Sequence, residues 1–250
     1  MLRQRVGLYR EQGIVLHGIR LGEADRIVSI FTQSRGRLRG VAKGVRRPKS
    51  RFGARLDAFT HVDLQLYRGR SDLDVITQAD IISRPRRLRS DYAAFCAGSA
   101  MADAVERTTP DREPNVRLFL LLRSGLEALE AGAEDPSVLA YAFLAKLAST
   151  SGLHPTLAVC VDCGAPGRVA FSYERGGAVC GACVDRADPK TSDEVLDGWA
   201  RLINEDWEEL RNGRLAPETK RQLTPLVLGF VQWHTEARLR AFGMLGSGAR

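Results

Sequence analysis

No G-x-x-x-x-G-K-S/T phosphate loop occurs in the 250-residue chain, so ATP hydrolysis lacks its usual backbone cradle. Histidine is scarce: His17, His61, His154 and His234 are scattered over different segments, and no cluster for acid–base catalysis can be assembled from them. The longest unbroken apolar run covers residues 138–145, far short of the roughly 18 residues that a bilayer span needs. Arg3, Arg5 and Arg10 are not followed by an apolar signal core, which leads us to expect a cytoplasmic protein. There is no internal repeat and no low-complexity linker. The most informative absence is of acid: residues 26–55 hold 10 Lys and Arg and not one Asp or Glu.

The overall formal charge of +7 hides a division. Residues 1–89 carry 20 Lys/Arg against 8 Asp/Glu, for +12, and residues 90–250 carry 17 against 22, for −5. A solvated surface normally mixes both signs, so a long one-signed stretch points to a polyanionic partner. Within "RGRLRG", Arg35, Arg37 and Arg39 alternate. On a strand they would leave one face about 6.6 Å apart, close to the phosphate repeat of an extended nucleic-acid strand, with Leu38 turned to the core. "VRRPKSR" reads as a loop in which Pro48 prevents a regular strand and Arg46, Arg47, Lys49 and Arg51 reach outward. With Lys43 and Arg55 these residues form the candidate nucleic-acid-binding set. Phe52 is either a ring on which a base stacks or a core residue opening the next element. Nothing in the stretch supplies base-specific readout, so binding to the backbone without sequence preference is expected.

Residues 13–17, 26–33, 36–44, 60–67 and 73–79 are short alternating or β-branched runs, which suits a five-stranded barrel. Strand count alone does not separate an OB-fold from an SH3-like barrel. After the connector "SRPRRLRSD" the period changes to 3.6. Ser90 is expected to cap one helix, Pro114 to begin a second that Gly132 stops, and Asp135 with Pro136 to open a third. Val195, Trp199, Leu202, Ile203, Trp207 and Leu210 form a core stripe, and a last helix is expected from about Pro217 towards Phe242 with a kink at Pro225. The chain thus divides into a nucleic-acid-binding barrel over residues 1–82 and a helical domain over 83–250, an α+β organisation.

The helical domain contains C-x2-C-x16-C-x2-C, at about residues 158–188. Four thiolates saturate a tetrahedral zinc ion, so Cys160, Cys163, Cys180 and Cys183 are expected to hold one structural zinc, with Gly164 and Gly181 easing the tight turns. A redox pair would need a βαβ context, and cytosolic disulfides are rare. His154 is close to the knuckle, but with four cysteines available it is not assigned as a ligand, and Cys96 reads as a buried thiol. Acids such as those in "EDWEE" (205–209) read as the wet face of a helix rather than a metal nuclease centre. A binding module is therefore favoured. A zinc-knuckle nucleic-acid-modifying enzyme and an RNA-binding module are the alternatives.

The segment "GIVLHGIRLGEADRIVSIFTQSRGRLRGVAKGVRRPKSRFGARLDAF" closely resembles the N-terminal region of the RecO family of bacterial recombination mediators, most specifically at "GE.DRI" and "AKG.RR.KSRFG". The likeness continues through the helices and the four-Cys knuckle, with Ala58 where family members often carry Pro. The resemblance implies an N-terminal OB-fold, a helical C-terminal domain with a zinc knuckle, and a non-enzymatic role. It implies binding to single- and double-stranded DNA, ATP-independent strand annealing and a nucleoid-associated location. It further implies cooperation with RecR and the tail of single-stranded-DNA-binding protein in loading RecA.

Overall fold

A computed structural model describes residues 7–47, 50–69 and 71–246. Five strands come first: β1 (Gly7–Leu21), β2 (Asp25–Thr32), β3 (Gly36–Ala42), β4 (His61–Arg68) and β5 (Asp74–Ser83). β1 extends beyond the expected 13–17 in both directions, because its first part pairs with β4 and its second with β2. Its N-terminal residues are mostly polar and carried no apolar signal. The strand bends at a bulge between Val15 and His17, and a Cβ on Gly13 would stand 2.5 Å from Ile30.

The strands close into a barrel in the order β1-β2-β3-β5-β4, with β3 and β5 parallel where Gly40 faces Asp74 and Val41 faces Val75. This Greek-key closure is that of the OB-fold, which settles the choice left open by strand count. Gly40 makes the approach feasible, since a Cβ there would lie 2.8 Å from Ile76. Val15, Val28, Ile30, Leu64, Leu66 and Ile76 fill the interior, joined by Phe52 and Leu56 from the β3–β4 connection. Phe52 is 1% exposed, so it is a core ring and not a surface on which a base can stack.

The helical part comprises α1 (Arg87–Ser90), α2 (Tyr92–Thr108), α3 (Val116–Ala131), α4 (Pro136–Thr150), α5 (Asp193–Asn204), α6 (Trp207–Asn212) and α7 (Pro217–Thr235), with the hairpin β6 (Arg168–Ser172) and β7 (Gly177–Cys180) between α4 and α5. Phe171 of β6 meets Trp199 of α5 at 4.7 Å, and Phe230 of α7 meets Trp199 at 5.5 Å. The hairpin is thereby rooted in the helical core. That core also takes in Ile14, Leu16, Phe31 and Phe59 from the barrel, so one apolar cluster spans both parts. Among the described residues no helix is long and apolar enough to cross a membrane.

Several helix ends differ from the sequence reading. Asp91, not Ser90, caps α2 by accepting from Ala94 N at 3.1 Å, while Ser90 closes the single turn of α1. Asn115 caps α3 after Pro114, and Asp135 caps α4 as expected. The stripe from Val195 to Leu210 is two helices. Asp206 and Glu209 cap each other's backbone N–H, and this reciprocal pair starts α6 afresh. α7 contains Pro225 but ends at Thr235, where Glu236 turns left-handed. Phe242 lies in a separate 3-10 segment (Arg240–Gly246), packed 5.3 Å from Tyr141.

Candidate nucleic-acid interface and four-cysteine cluster

An OB barrel offers the outer face of its second and third strands to oligonucleotides. Here the register sets His17, Ser29 and Arg39 in one row across β1, β2 and β3. Helix α2 closes over part of this face. Glu106 accepts from Ser29 Oγ at 2.5 Å and from Arg37 Nη1 at 2.6 Å, and its carboxylate lies 3.5 Å from His17 Nε2. Burial alone would raise the Glu106 pKa, but hydrogen bonds from His17 and Ser29 and the Arg37 charge hold it down at about 2. Asp111, in the α2–α3 connection, takes Arg37 at 2.9 Å and Arg39 at 3.6 Å. The connection is seated by Gly36, whose φ is +67°; a Cβ there would lie 2.0 Å from Glu113 O. Nearby, Arg112 donates to the fully buried Asp74 at 3.0 Å, which also accepts from Tyr9 at 2.5 Å. Burial and the Asp74 partnership raise the Tyr9 phenol above its ordinary range.

β3 carries Arg37 and Arg39 on one face as expected, but Arg35 precedes the strand, and the three guanidinium groups are not equally free. Arg37 is largely buried in its two ion pairs, Arg39 is half-exposed beside Asp111, and Arg35 sits in the β2–β3 turn against Glu11 and the Tyr9 ring. The β3–β4 loop differs. Lys43, Arg46, Arg47 and Arg51 are exposed and Arg55 is half-exposed. Among the described residues none of the five has a carboxylate within ion-pair distance. The loop is nevertheless held in place. Gly44 N donates to Asp25 at 2.7 Å, Arg46 donates to Glu23 O at 2.9 Å, Arg55 donates to Arg51 O at 2.6 Å, and Arg51 lies over the Phe52 ring. Arg46 and Arg55 thus each spend one guanidinium nitrogen on backbone carbonyls, and their charge is not neutralised by a carboxylate. Lys49 and Pro48 lie outside the described residues.

Between α4 and α5, the sulfurs of Cys160, Cys163, Cys180 and Cys183 all lie within 4.8 Å of one another. That spacing fits one tetrahedral ion, whose sulfur ligands sit about 2.3 Å from zinc. Backbone N–H groups of Cys163 and Cys180 lower the Cys160 thiol to about 6, whereas the neighbouring Cys163 and Cys180 sulfurs push Cys183 up to about 12. Four crowded thiols cannot all ionise unaided, and a divalent cation removes the conflict. Gly164 follows Cys163 with φ +70°, as a knuckle turn requires, but Gly181 needs no left-handed backbone. His154 is not in the cluster and bonds Ser149 instead. Arg175 clasps the two knuckles, donating to Asp162 at 2.5 Å and to Cys183 O at 3.0 Å and pairing with Asp188. Cys96 is a buried free thiol on α2.

The comparisons agree with this geometry. Models of the families described as "Recombination protein O N terminal" and "Recombination protein O C terminal" match residues 6–85 and 89–241. The chain belongs to the RecO family. Relatives named "DNA repair protein RecO" include that of Thermobifida fusca, 40% identical over 243 residues that cover 96% of this chain and 99% of the relative. Those of Cutibacterium acnes and Frankia casuarinae are 40% and 39% identical, each covering 95% of this chain and 98% of the relative. As a RecO family member the chain has a role in DNA repair and recombination. Glu106, Asp111 and Arg175, which organise the two candidate sites, escaped the sequence reading. Glu106 and Asp111 act on residues remote in the chain, Arg175 acts within the knuckle segment, and no local spacing marks any of the three.

Proposed function

We propose that this RecO family member is a recombination mediator that binds single- and double-stranded DNA without sequence preference through the β3–β4 loop, anneals complementary strands without ATP, and works with RecR and single-stranded-DNA-binding protein to load RecA. The observation that carries this reading is the group of loop cations without carboxylate partners, held on backbone contacts beside the OB barrel. Such a surface neutralises phosphates and leaves base edges free. Two complementary strands held this way lose the repulsion between their backbones and can still pair, so annealing needs no nucleotide. Arg39 and Arg35, half-exposed at the rim, extend the set, whereas Arg37 belongs to the clasp with Glu106 and Asp111. The four cysteines are assigned one structural zinc, which rigidifies the β6–β7 hairpin. All four positions being sulfur leaves none open for substrate. Three of the four acids at 205–209 are engaged locally: Glu205 with Arg201, and Asp206 with Glu209.

Salt dependence tests the loop. Each phosphate contact on a single strand contributes roughly −0.7 to the slope of log K against log salt. Replacing Arg46, Arg47, Lys49 and Arg51 by Ala is expected to flatten that slope by up to about 3 units and to leave the melting temperature nearly unchanged. A variant that stays folded and keeps the full slope would show that the grip lies elsewhere.

A further inference from the structure

The connector between barrel and helices, residues 84–89, carries four arginines in six positions. Its arginines are exposed. It is remote in sequence from the β3–β4 loop, yet the fold joins the two at one residue. Asp57, immediately after the 3-10 turn (Gly53–Leu56) that bears Arg55, is paired with Arg89 Nη2 at 2.8 Å and Arg84 Nη2 at 3.6 Å. Arg86 has no carboxylate within ion-pair distance among the described residues. Arg87 is occupied otherwise, with its guanidinium over Gly132 at the end of α3. Glu130 accepts the backbone N–H groups of Arg86, Arg87 and Leu88.

We propose that the connector is a second phosphate-binding segment, and that the DNA track runs from Arg51 and Arg55 across Asp57 onto Arg84, Arg86 and Arg89. The inference rests on the reading of the β3–β4 loop as a phosphate-binding surface. A strut fastening the connector to the barrel needs one guanidinium on Asp57. Two share that carboxylate, both partly exposed and screened by water, which leaves positive charge in excess at the contact. Arg86 adds to the excess. A phosphate arriving between the loop and the connector meets donors from both, and the Arg–phosphate geometry suits bidentate contact. The track then follows the junction of the two parts of the molecule and not the face of β2 and β3 that α2 and Asp111 cover.

The test measures the salt slope for single-stranded DNA with the full-length chain. Replacing Arg84, Arg86 and Arg89 by Ala is expected to flatten the slope by about 2 units. Asp57→Asn frees both arginines and is expected to tighten binding more than Glu208→Gln, which removes the same charge on exposed α6. An unchanged slope in the folded triple variant, or equal effects of Asp57→Asn and Glu208→Gln, overturns the proposal. If the triple variant does not fold, the comparison of Asp57→Asn with Glu208→Gln decides alone. The β3–β4 loop variant measured in parallel separates the two readings. A flattened slope for the loop variant with none for the connector ends the track at Arg55. The reverse result moves the grip to the connector and removes the loop.

Discussion

Glu106 is the residue on which the barrel and α2 meet, and its ionisation should be visible in stability. Its ordinary pKa of 4.5 is lowered to about 2 in the fold. A depressed carboxylate stabilises the fold above the unfolded value, and this contribution is lost as pH falls from about 4.5 towards 2. Between pH 6 and pH 3 that loss is about 2 kcal/mol for this group. Urea titrations at the two pH values should show it, and Glu106→Gln should reduce the difference by a similar amount. An equal pH dependence in the variant would mean that Glu106 is not the coupling group. Gly36 makes the complementary case for backbone. Gly36→Ala must place a Cβ at a left-handed φ and against Glu113 O, so it should cost about 2–4 kcal/mol. Thermal melts should report this, and a melting temperature equal to the parent's would refute the close approach.

The β6–β7 hairpin is the element that lies beside four sulfurs placed to share one metal ion. Its sulfurs converge on one point, Arg175 spans both knuckles, and Phe171 delivers the hairpin into the Trp199–Phe230 cluster. Protein purified without added zinc should contain about one equivalent per chain, because four thiolates bind the ion tightly at neutral pH. Cys160→Ser with Cys183→Ser should remove the metal and lower the melting temperature of the helical part. Full metal occupancy in the double variant would sink the assignment. The hairpin also shows what kind of element is legible in a sequence. The C-x2-C-x16-C-x2-C spacing marks it because the ligands of one knuckle are adjacent in the chain. Arg175 lies in the same segment and was missed, since an arginine that clasps two turns looks in sequence like any surface arginine.

In the molecule as a whole, two oppositely charged halves share one core. The barrel's outer residues Ile14, Leu16, Phe31 and Phe59 pack with the helices, and the acids Glu106 and Asp111 of the negative half engage Arg37 of the positive half. Among the described residues Lys43, Arg46, Arg47, Arg51 and Arg55 of the β3–β4 loop have no carboxylate partner, and annealing should follow from that loop. Complementary oligonucleotides should pair faster with the protein present and nucleotide absent, by a fluorescence-quenching assay, and the loop variant should lose most of that acceleration. Strict dependence on ATP would refute the reading. The barrel, the helices and the four-sulfur cluster were legible because alternation, 3.6-residue periodicity and ligand spacing are local properties of the chain. So was the one-signed run of residues 26–55, as a run. Which of its charges stay free was not legible, because that depends on carboxylates far away in sequence that the fold delivers to Arg37 and Arg39 and withholds from Arg46, Arg47 and Arg51. The same holds for Phe52, which local composition left between surface and core and which the barrel's interior claimed. Sequence alone determined what elements form and where positive charge accumulates; tertiary structure alone decided which of those charges are neutralised, since ion pairing is set by distance in space and not by separation along the chain.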